Sequence, residues 1–229
     1  MLNFNLIQNF VVSLTGTAND KELFTEDYIR YVLIDTLRNN TMGSKYSIEI
    51  PYIRNKVNTK FGLNKYDCFS NEKPRLDLYV QNNDSTIDTI EIKFHRKTAY
   101  SNNCTTSKAG SVFNDLNRLS VIDSKCNRYL VYVFDADMHK TLNGKCISYN
   151  SSVLSDSFKA GSVLVTIDKQ YHKPQNGKNY SKDFTNRALS SFNNHYNNFS
   201  CFSYGVECIF NNSFKVGNDE LWCIVLEIK

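Results

Sequence analysis

The sequence predicts an α/β fold, and three observations carry that expectation: apolar residues at helical spacing in two segments, short alternating or β-branched runs beside them, and their order along the chain, helix, strand, strand, strand, helix, strand. Residues 23–38 place Tyr28, Val32, Leu33 and Leu37 at helical spacing behind residues 19–22, which resemble a capping box. Residues 46–53 alternate Ile48 and Ile50 against Ser47 and Glu49 and read as a strand, followed by a basic, polar loop through Asn64. Leu76, Leu78 and Val80 then alternate with Arg75, Asp77 and Tyr79, which sets Asp77 on the face opposite the aliphatic residues. Residues 81–85 turn, and Ile90, Ile92 and Phe94 alternate with Glu91, Lys93 and His95 in a second strand with one apolar and one ionisable face. Antiparallel pairing through so short a turn sets Asp77 near Glu91. Residues 107–119 carry Val112, Phe113, Leu116 and Leu119 at helical spacing, and residues 128–134 form a compact β-branched and aromatic strand. Beyond Asp135 the pattern weakens to a strand at 162–167, a helix at 183–196 and a closing hairpin of 202–210 with 221–228, which complete or decorate the same sheet.

Composition bounds the answer without choosing it. The chain has 229 residues, 41% hydrophobic and 22% charged, with nine glycines and three prolines, which excludes disordered, collagen-like and low-complexity classes. No repeat or linker divides it, so residues 1–229 are expected to form a single domain. Seven scattered cysteines without a C-x-x-C pair or zinc-like His spacing fit a reduced, cytoplasmic location. The Asn-x-Ser triplets at Asn150 and Asn198 are read as chance in an Asn-rich chain. The N-terminal residues 1–14 lack the basic region of a signal peptide, and no apolar run approaches the roughly 18 residues of a membrane span, so no membrane partner is expected. A formal charge of +4 permits a polyanionic partner without demanding one.

The chemistry concentrates on two adjacent strands. Asp77, Glu91 and Lys93 converge if those strands pair, since Glu91 and Lys93 lie two residues apart on one face. Two carboxylates with a backbone carbonyl such as that of Ile92 suit Mg²⁺, or Mn²⁺ as its substitute. A cation so held acidifies bound water and neutralises charge on a phosphorane-like transition state, while Lys93 can orient or deprotonate that water or stabilise the same charge.

Pro74-Arg75-Leu76-Asp77 followed fourteen positions after Asp77 by Glu91-Ile92-Lys93 resembles the motif of the PD-(D/E)XK nuclease superfamily, which includes the type II restriction endonucleases. Asp77 follows Pro74 by three positions instead of directly, a departure that the superfamily tolerates. The resemblance implies a restriction-endonuclease-like core over residues 23–134, namely a helix, three antiparallel strands, a helix and a further strand. The central mixed sheet then has four to five strands flanked by helices, and residues 135–229 are a C-terminal extension. It also implies metal binding by Asp77 and Glu91 and service of the water by Lys93. Glu26, near the start of the first predicted helix, stands where many members carry a further metal-site Glu. Asp27 beside it allows the simpler reading of an acidic first turn favoured by the helix dipole.

The function expected on this basis is Mg²⁺-dependent DNA endonuclease activity, most simply restriction-type cleavage by a homodimer with a cognate methyltransferase as partner. No G-x-x-x-x-G-K-[ST] motif is present. The alternatives are a nuclease of the same superfamily acting on branched DNA, single strands or RNA, and a non-catalytic nucleic-acid-binding protein on a degenerate nuclease fold. His95, Arg96 and Lys97, with Lys108 beyond a polar loop, are candidate phosphate contacts; an ordinary basic turn is the plainer reading. Arg54, Lys56, Lys60 and Lys65 read as a solvated loop, Asp115 and Arg118 as an i, i+3 ion pair, and Glu227-Ile228-Lys229, a second Glu-x-Lys, as a strand end.

Overall fold

The structure, a computed structural model, describes residues 2–17, 24–51, 75–96, 105–120, 122, 125–143, 162–167, 187–188, 190 and 202–229. Leu2, Leu6, Ile7, Phe10, Val11 and Leu14 form one buried stripe at three- and four-residue spacing, and the segment is a helix, α1 (Phe4–Thr17), that was not expected. The next helix, α2 (Glu26–Asn40), begins later than residue 23. Thr25 is its N-cap, accepting the Tyr28 backbone N–H at 3.0 Å, and Phe24 before it is buried against the core. The capping-box residues 19–22 lie outside the described residues.

Strands β1 (Lys45–Pro51), β2 (Arg75–Gln81) and β3 (Ile87–His95) form an antiparallel meander. The β2–β3 turn is closed by the Asn82 N–H on the Thr86 carbonyl at 2.9 Å, with Ser85 at φ 66°. Helix α3 (Thr105–Ser120) then crosses over the sheet to β4 (Asn127–Asp135), which runs parallel to β3. A short helix, α4 (Ala136–Asn143), follows directly. Strands β5 (Ser162–Ile167), β6 (Phe202–Val216) and β7 (Asp219–Ile228) complete the sheet, in which β6 and β7 form the expected hairpin. Of the helix expected at 183–196, only residues 187, 188 and 190 are described.

The sheet has seven strands in the order β1-β2-β3-β4-β7-β6-β5, where four to five were expected. The reason is the C-terminal hairpin. β7 pairs antiparallel along the whole of β4, from Arg128↔Ile228 to Asp135↔Leu221, so β4 is a central strand and the extension continues the core sheet. Both faces are covered. α3 and α4 pack through Val112, Phe113, Leu116 and Met138 on Leu130, Tyr132, Phe134, Ile224 and Leu226. α1 and α2 pack through Ile7, Phe10, Leu14, Ile29 and Leu33 on Ile90, Ile92, Val131, Val133 and Val225. Alternate β3 residues therefore face different layers, with Ile90 and Ile92 toward α1 and α2. No helix among the described residues is long and apolar enough to cross a membrane.

Candidate functional site

The site lies where β2 and β3 part. Their pairing runs from Gln81↔Ile87 to Leu78↔Ile90 and stops there, while β3 continues against β4 to His95↔Phe134. Asp77 is the next residue, and its Oδ2 accepts the Ile92 backbone N–H at 2.7 Å. A carboxylate thus occupies the place of a ladder carbonyl, wedged between separating strands and only 8% exposed. In an extended strand the N–H and C=O of one residue point the same way, so the Ile92 carbonyl faces the same gap.

Glu91 and Lys93 project from the opposite face of β3 to Ile90 and Ile92, toward α3. The Glu91 carboxylate, 1% exposed, has its Oε2 2.9 Å from Arg118 Nη2, and the same nitrogen is 2.9 Å from Asp115 Oδ1. The other Asp115 oxygen lies 3.2 Å from Lys93 Nζ, which also stands 3.6 Å from Glu26 Oε2. Glu26 reaches the sheet because α2 begins there, and its Oε2 accepts the Phe94 N–H at 3.4 Å. On the other side of the gap, Arg30 Nη2 bridges Asp77 Oδ1 at 3.0 Å and Glu49 Oε1 at 2.9 Å, while its Nη1 holds Asp27. Glu49 lies out of the ladder at φ 53°, where the β1–β2 register passes from Ile48↔Leu78 to Ile50↔Leu76.

Burial alone would push the Lys93 ammonium down, but Asp115, Glu26, Glu91 and Asp77 together hold it well above its ordinary value. Burial holds the Glu26 carboxyl above the usual carboxylate range, opposed by Lys93 and reinforced by Asp77 and Asp115. Of the expected residues, Glu26 is in contact with Lys93, and Asp77 and Glu91 are near enough for their charges to act on it. Arg30 and Glu49 were not anticipated as members. Arg30 lies three residues after Asp27 and four after Glu26 on α2, a spacing that marks an acidic first turn with its own counter-cation. Asp115 and Arg118 do pair as expected, and each also reaches one motif residue.

Hard oxygen donors from Asp77, Glu91, Glu26 and the Ile92 carbonyl are of the type a Mg²⁺ or Mn²⁺ ion takes. Around them six carboxylates meet three cations, an excess of three negative charges that favours a further cation. Against this, no group of three or more His, Cys, Asp or Glu among the described residues stands ready to hold a metal. Asp77 is turned to Arg30 and Glu91 to Arg118, so an incoming cation has to compete with two guanidinium groups. The donor chemistry fits, and the arginines are the competitors.

The candidate phosphate contacts sit differently. His95 Nδ1 is 2.9 Å from the Tyr132 hydroxyl and its Nε2 3.3 Å from Ser111 Oγ. Burial, with Lys93, Lys108 and Arg187 nearby, pushes the imidazole down to about 3, so it is neutral at pH 7 and brings no positive charge to a phosphate. Lys108 Nζ donates to the Arg96 carbonyl at 2.9 Å, which ties the start of α3 to the end of β3. Lys97, the loop through residue 104 and the stretch bearing Arg54, Lys56, Lys60 and Lys65 lie outside the described residues. The second Glu-x-Lys is a strand-end clasp: Lys229 Nζ is 2.5 Å from Glu227 Oε2 and 2.9 Å from Glu207 Oε2, joining two acids that face each other across β6 and β7.

The neutral His95 gives a pH test. Below about pH 6.5 the unfolded chain takes up a proton that the folded chain, with its imidazole near 3, refuses, so stability falls as pH falls. Each unit costs up to about 1.4 kcal/mol. In urea unfolding at pH 7 and pH 5, the wild type is expected to lose roughly 2 kcal/mol more than His95→Gln. Equal losses would show that the imidazole charges freely in the folded protein.

No protein-family model, curated protein or solved structure matches the chain.

Proposed function

We propose that the chain is a Mg²⁺-dependent DNA endonuclease of the PD-(D/E)XK type that hydrolyses phosphodiester bonds, with restriction-type double-strand cleavage as its leading form. The observation that carries this reading is the separation of β2 from β3 at Asp77, with the Asp77 carboxylate on the Ile92 N–H and with Glu91 and Lys93 on the same stretch of β3. An antiparallel meander of three strands after a helix, then a helix crossover to a parallel strand, supports it as the order that the superfamily core requires. Asp77, Glu91, Glu26 and the Ile92 carbonyl hold the cation in this reading. When bound, Mg²⁺ supplies an acidified water and charge neutralisation at the phosphoryl oxygens. Lys93, clamped between Asp115 and Glu26, presents an ammonium that orients the attacking water and offsets charge on the pentavalent phosphorus. In this reading Arg96 and Lys108, joined at the end of β3, serve flanking phosphates, and the neighbouring His95 is held by Tyr132 and Ser111. Two-fold cutting of a duplex calls for a homodimer, and a restriction role for a cognate methyltransferase in the same cytoplasm.

A second reading, a non-catalytic nucleic-acid-binding protein on the same fold, is favoured by one observation: Arg30 and Arg118 already neutralise the two motif carboxylates. One assay separates the readings. Purified protein is incubated with Mg²⁺ and with linear duplex, branched DNA, single strands and RNA, and the products are resolved on gels. The nuclease reading expects cleavage that EDTA stops and that Asp77→Ala removes. Salt-dependent binding without turnover selects the second reading, and undiminished cleavage by Asp77→Ala rejects the assigned site.

A further inference from the structure

Glu91 and Lys93 are joined to each other by α3. The two strand residues lie roughly 7 Å apart along β3, and Asp115 and Arg118 lie about 5 to 6 Å apart on the facing turn of α3. The two repeats nearly match, so the four side chains close a ring: Glu91 to Arg118 at 2.9 Å, Arg118 to Asp115 at 2.9 Å and Asp115 to Lys93 at 3.2 Å, with the β3 backbone completing it. Asp115 is 2% exposed and spends both oxygens inside the ring, one on each cation. A carboxylate so deeply buried is costly unless paired, and here Asp115 Oδ2 and Glu91 Oε2 meet their cations at ion-pair distance without a hydrogen bond, so charge holds the two motif residues in the ring.

We infer that Asp115 and Arg118 are positioning residues for the hydrolytic site: Arg118 sets the direction of the Glu91 carboxylate, Asp115 sets the Lys93 ammonium, and their mutual bond makes the two settings one. This rests on the nuclease reading and adds a role for α3. Neither residue touches substrate. Their removal therefore lowers the rate of the chemical step and leaves DNA affinity in place, because a displaced ammonium or carboxylate loses the alignment on which catalysis depends.

The test measures kcat and KM for Mg²⁺-dependent cleavage by wild type, Asp115→Asn and Asp115→Glu, with the folded fraction of each read by circular dichroism under assay conditions. Asp115→Asn is expected to lose about 10- to 100-fold in kcat per folded molecule with KM within about 3-fold, and Asp115→Glu to recover part of that loss. The assignment is overturned if folded Asp115→Asn keeps its kcat within about 3-fold, if its loss is only the unfolded fraction, or if the loss lies in KM. A wild type without turnover overturns the nuclease reading itself, an outcome distinct from an active wild type whose Asp115→Asn variant is equally fast.

Discussion

Lys93→Met is expected to reduce Mg²⁺-dependent cleavage by roughly two to four orders of magnitude, the range a single positioned proton-handling or charge-stabilising group contributes. Methionine keeps much of the apolar stem that leaves β3 on its α3 face and removes only the ammonium. The charge has two partners of unequal exposure. Glu26 is 37% exposed and regains water when Lys93 is lost, whereas Asp115 is 3% exposed and keeps only Arg118. Stability therefore falls by about 1 to 3 kcal/mol, which leaves a domain of ordinary stability folded at 25 °C. Single-turnover cleavage with enzyme in excess, read beside a urea unfolding curve, separates the two effects. A folded Lys93→Met variant that cleaves within about threefold of wild type removes Lys93 from the chemistry, and with it the reading of Glu91-Ile92-Lys93 as a catalytic strand.

How much of this was legible in the sequence depends on whether the signal was local. β2 and β3 could be read because each alternates over a few residues and a five-residue turn joins them. The alternation breaks at Asp77: Leu78 and Val80 face α1 and α2, but Leu76 packs on the α3 side, so the aliphatic residues of β2 do not share the one face expected. What alternation cannot show is that the ladder stops at Leu78 and that the Asp77 side chain takes the Ile92 N–H in place of a carbonyl. α1 escaped because Asn3, Asn5, Gln8 and Asn9 break the run when it is scanned for a signal peptide. The four-residue series Leu2, Leu6, Phe10 and Leu14, continued by Ile7 and Val11, is a helical stripe that would have found it. The seven-stranded sheet was hidden for a different reason. β4 and β7 are about ninety residues apart in the chain, and no local pattern states which strand an apolar run will pair with. The near-continuous burial of Leu221 to Ile228 is nonetheless the mark of a central strand, and an edge strand would have carried polar residues on one face.

The site divides along the same line. Asp77, Glu91 and Lys93 are expected from two adjacent strands and Glu26 from the family resemblance alone, and Glu26, Asp77 and Glu91 all act on Lys93. The arginines are expected from neither, because a counter-cation is recruited through space: Arg30 from the far side of the gap, and Arg118 from a helix reached only after the crossover. Asp115 and Arg118 could be seen as an i, i+3 pair, but a helix-surface pair and a pair buried over Glu91 have the same sequence spacing. Only burial distinguishes them, at 3% exposure for the Asp115 side chain.

Arg118→Met is expected to cost about 3 to 5 kcal/mol of folding stability, the range for stripping one partner from a buried ion pair. Two carboxylates lean on this guanidinium through one nitrogen, Glu91 at 1% and Asp115 at 3% side-chain exposure, and neither gains water when it goes. Asp115 retains Lys93, while Glu91 loses the guanidinium 2.9 Å away and faces Met, and weakening the counter-charge of so buried a carboxylate is what makes the loss large. Arg30 provides the control. It too joins a motif carboxylate, yet of its partners Asp27 is 85% and Glu49 38% exposed, and Asp77 keeps the Ile92 N–H. Arg30→Met should therefore cost less, about 1 to 2 kcal/mol. Urea unfolding of the two variants at pH 7 tests the order. If Arg118→Met is as stable as Arg30→Met, the Glu91 carboxylate is not confined as described, and water reaches it from the gap beside Asp77. If the order holds, adding Mg²⁺ gives the next measurement. If Asp77 and Glu91 hold a cation as proposed, it replaces the missing guanidinium charge, so Mg²⁺ should restore stability to Arg118→Met more than to wild type, because binding to the folded state alone adds RT ln(1 + [Mg²⁺]/Kd) and the variant binds with the lower Kd.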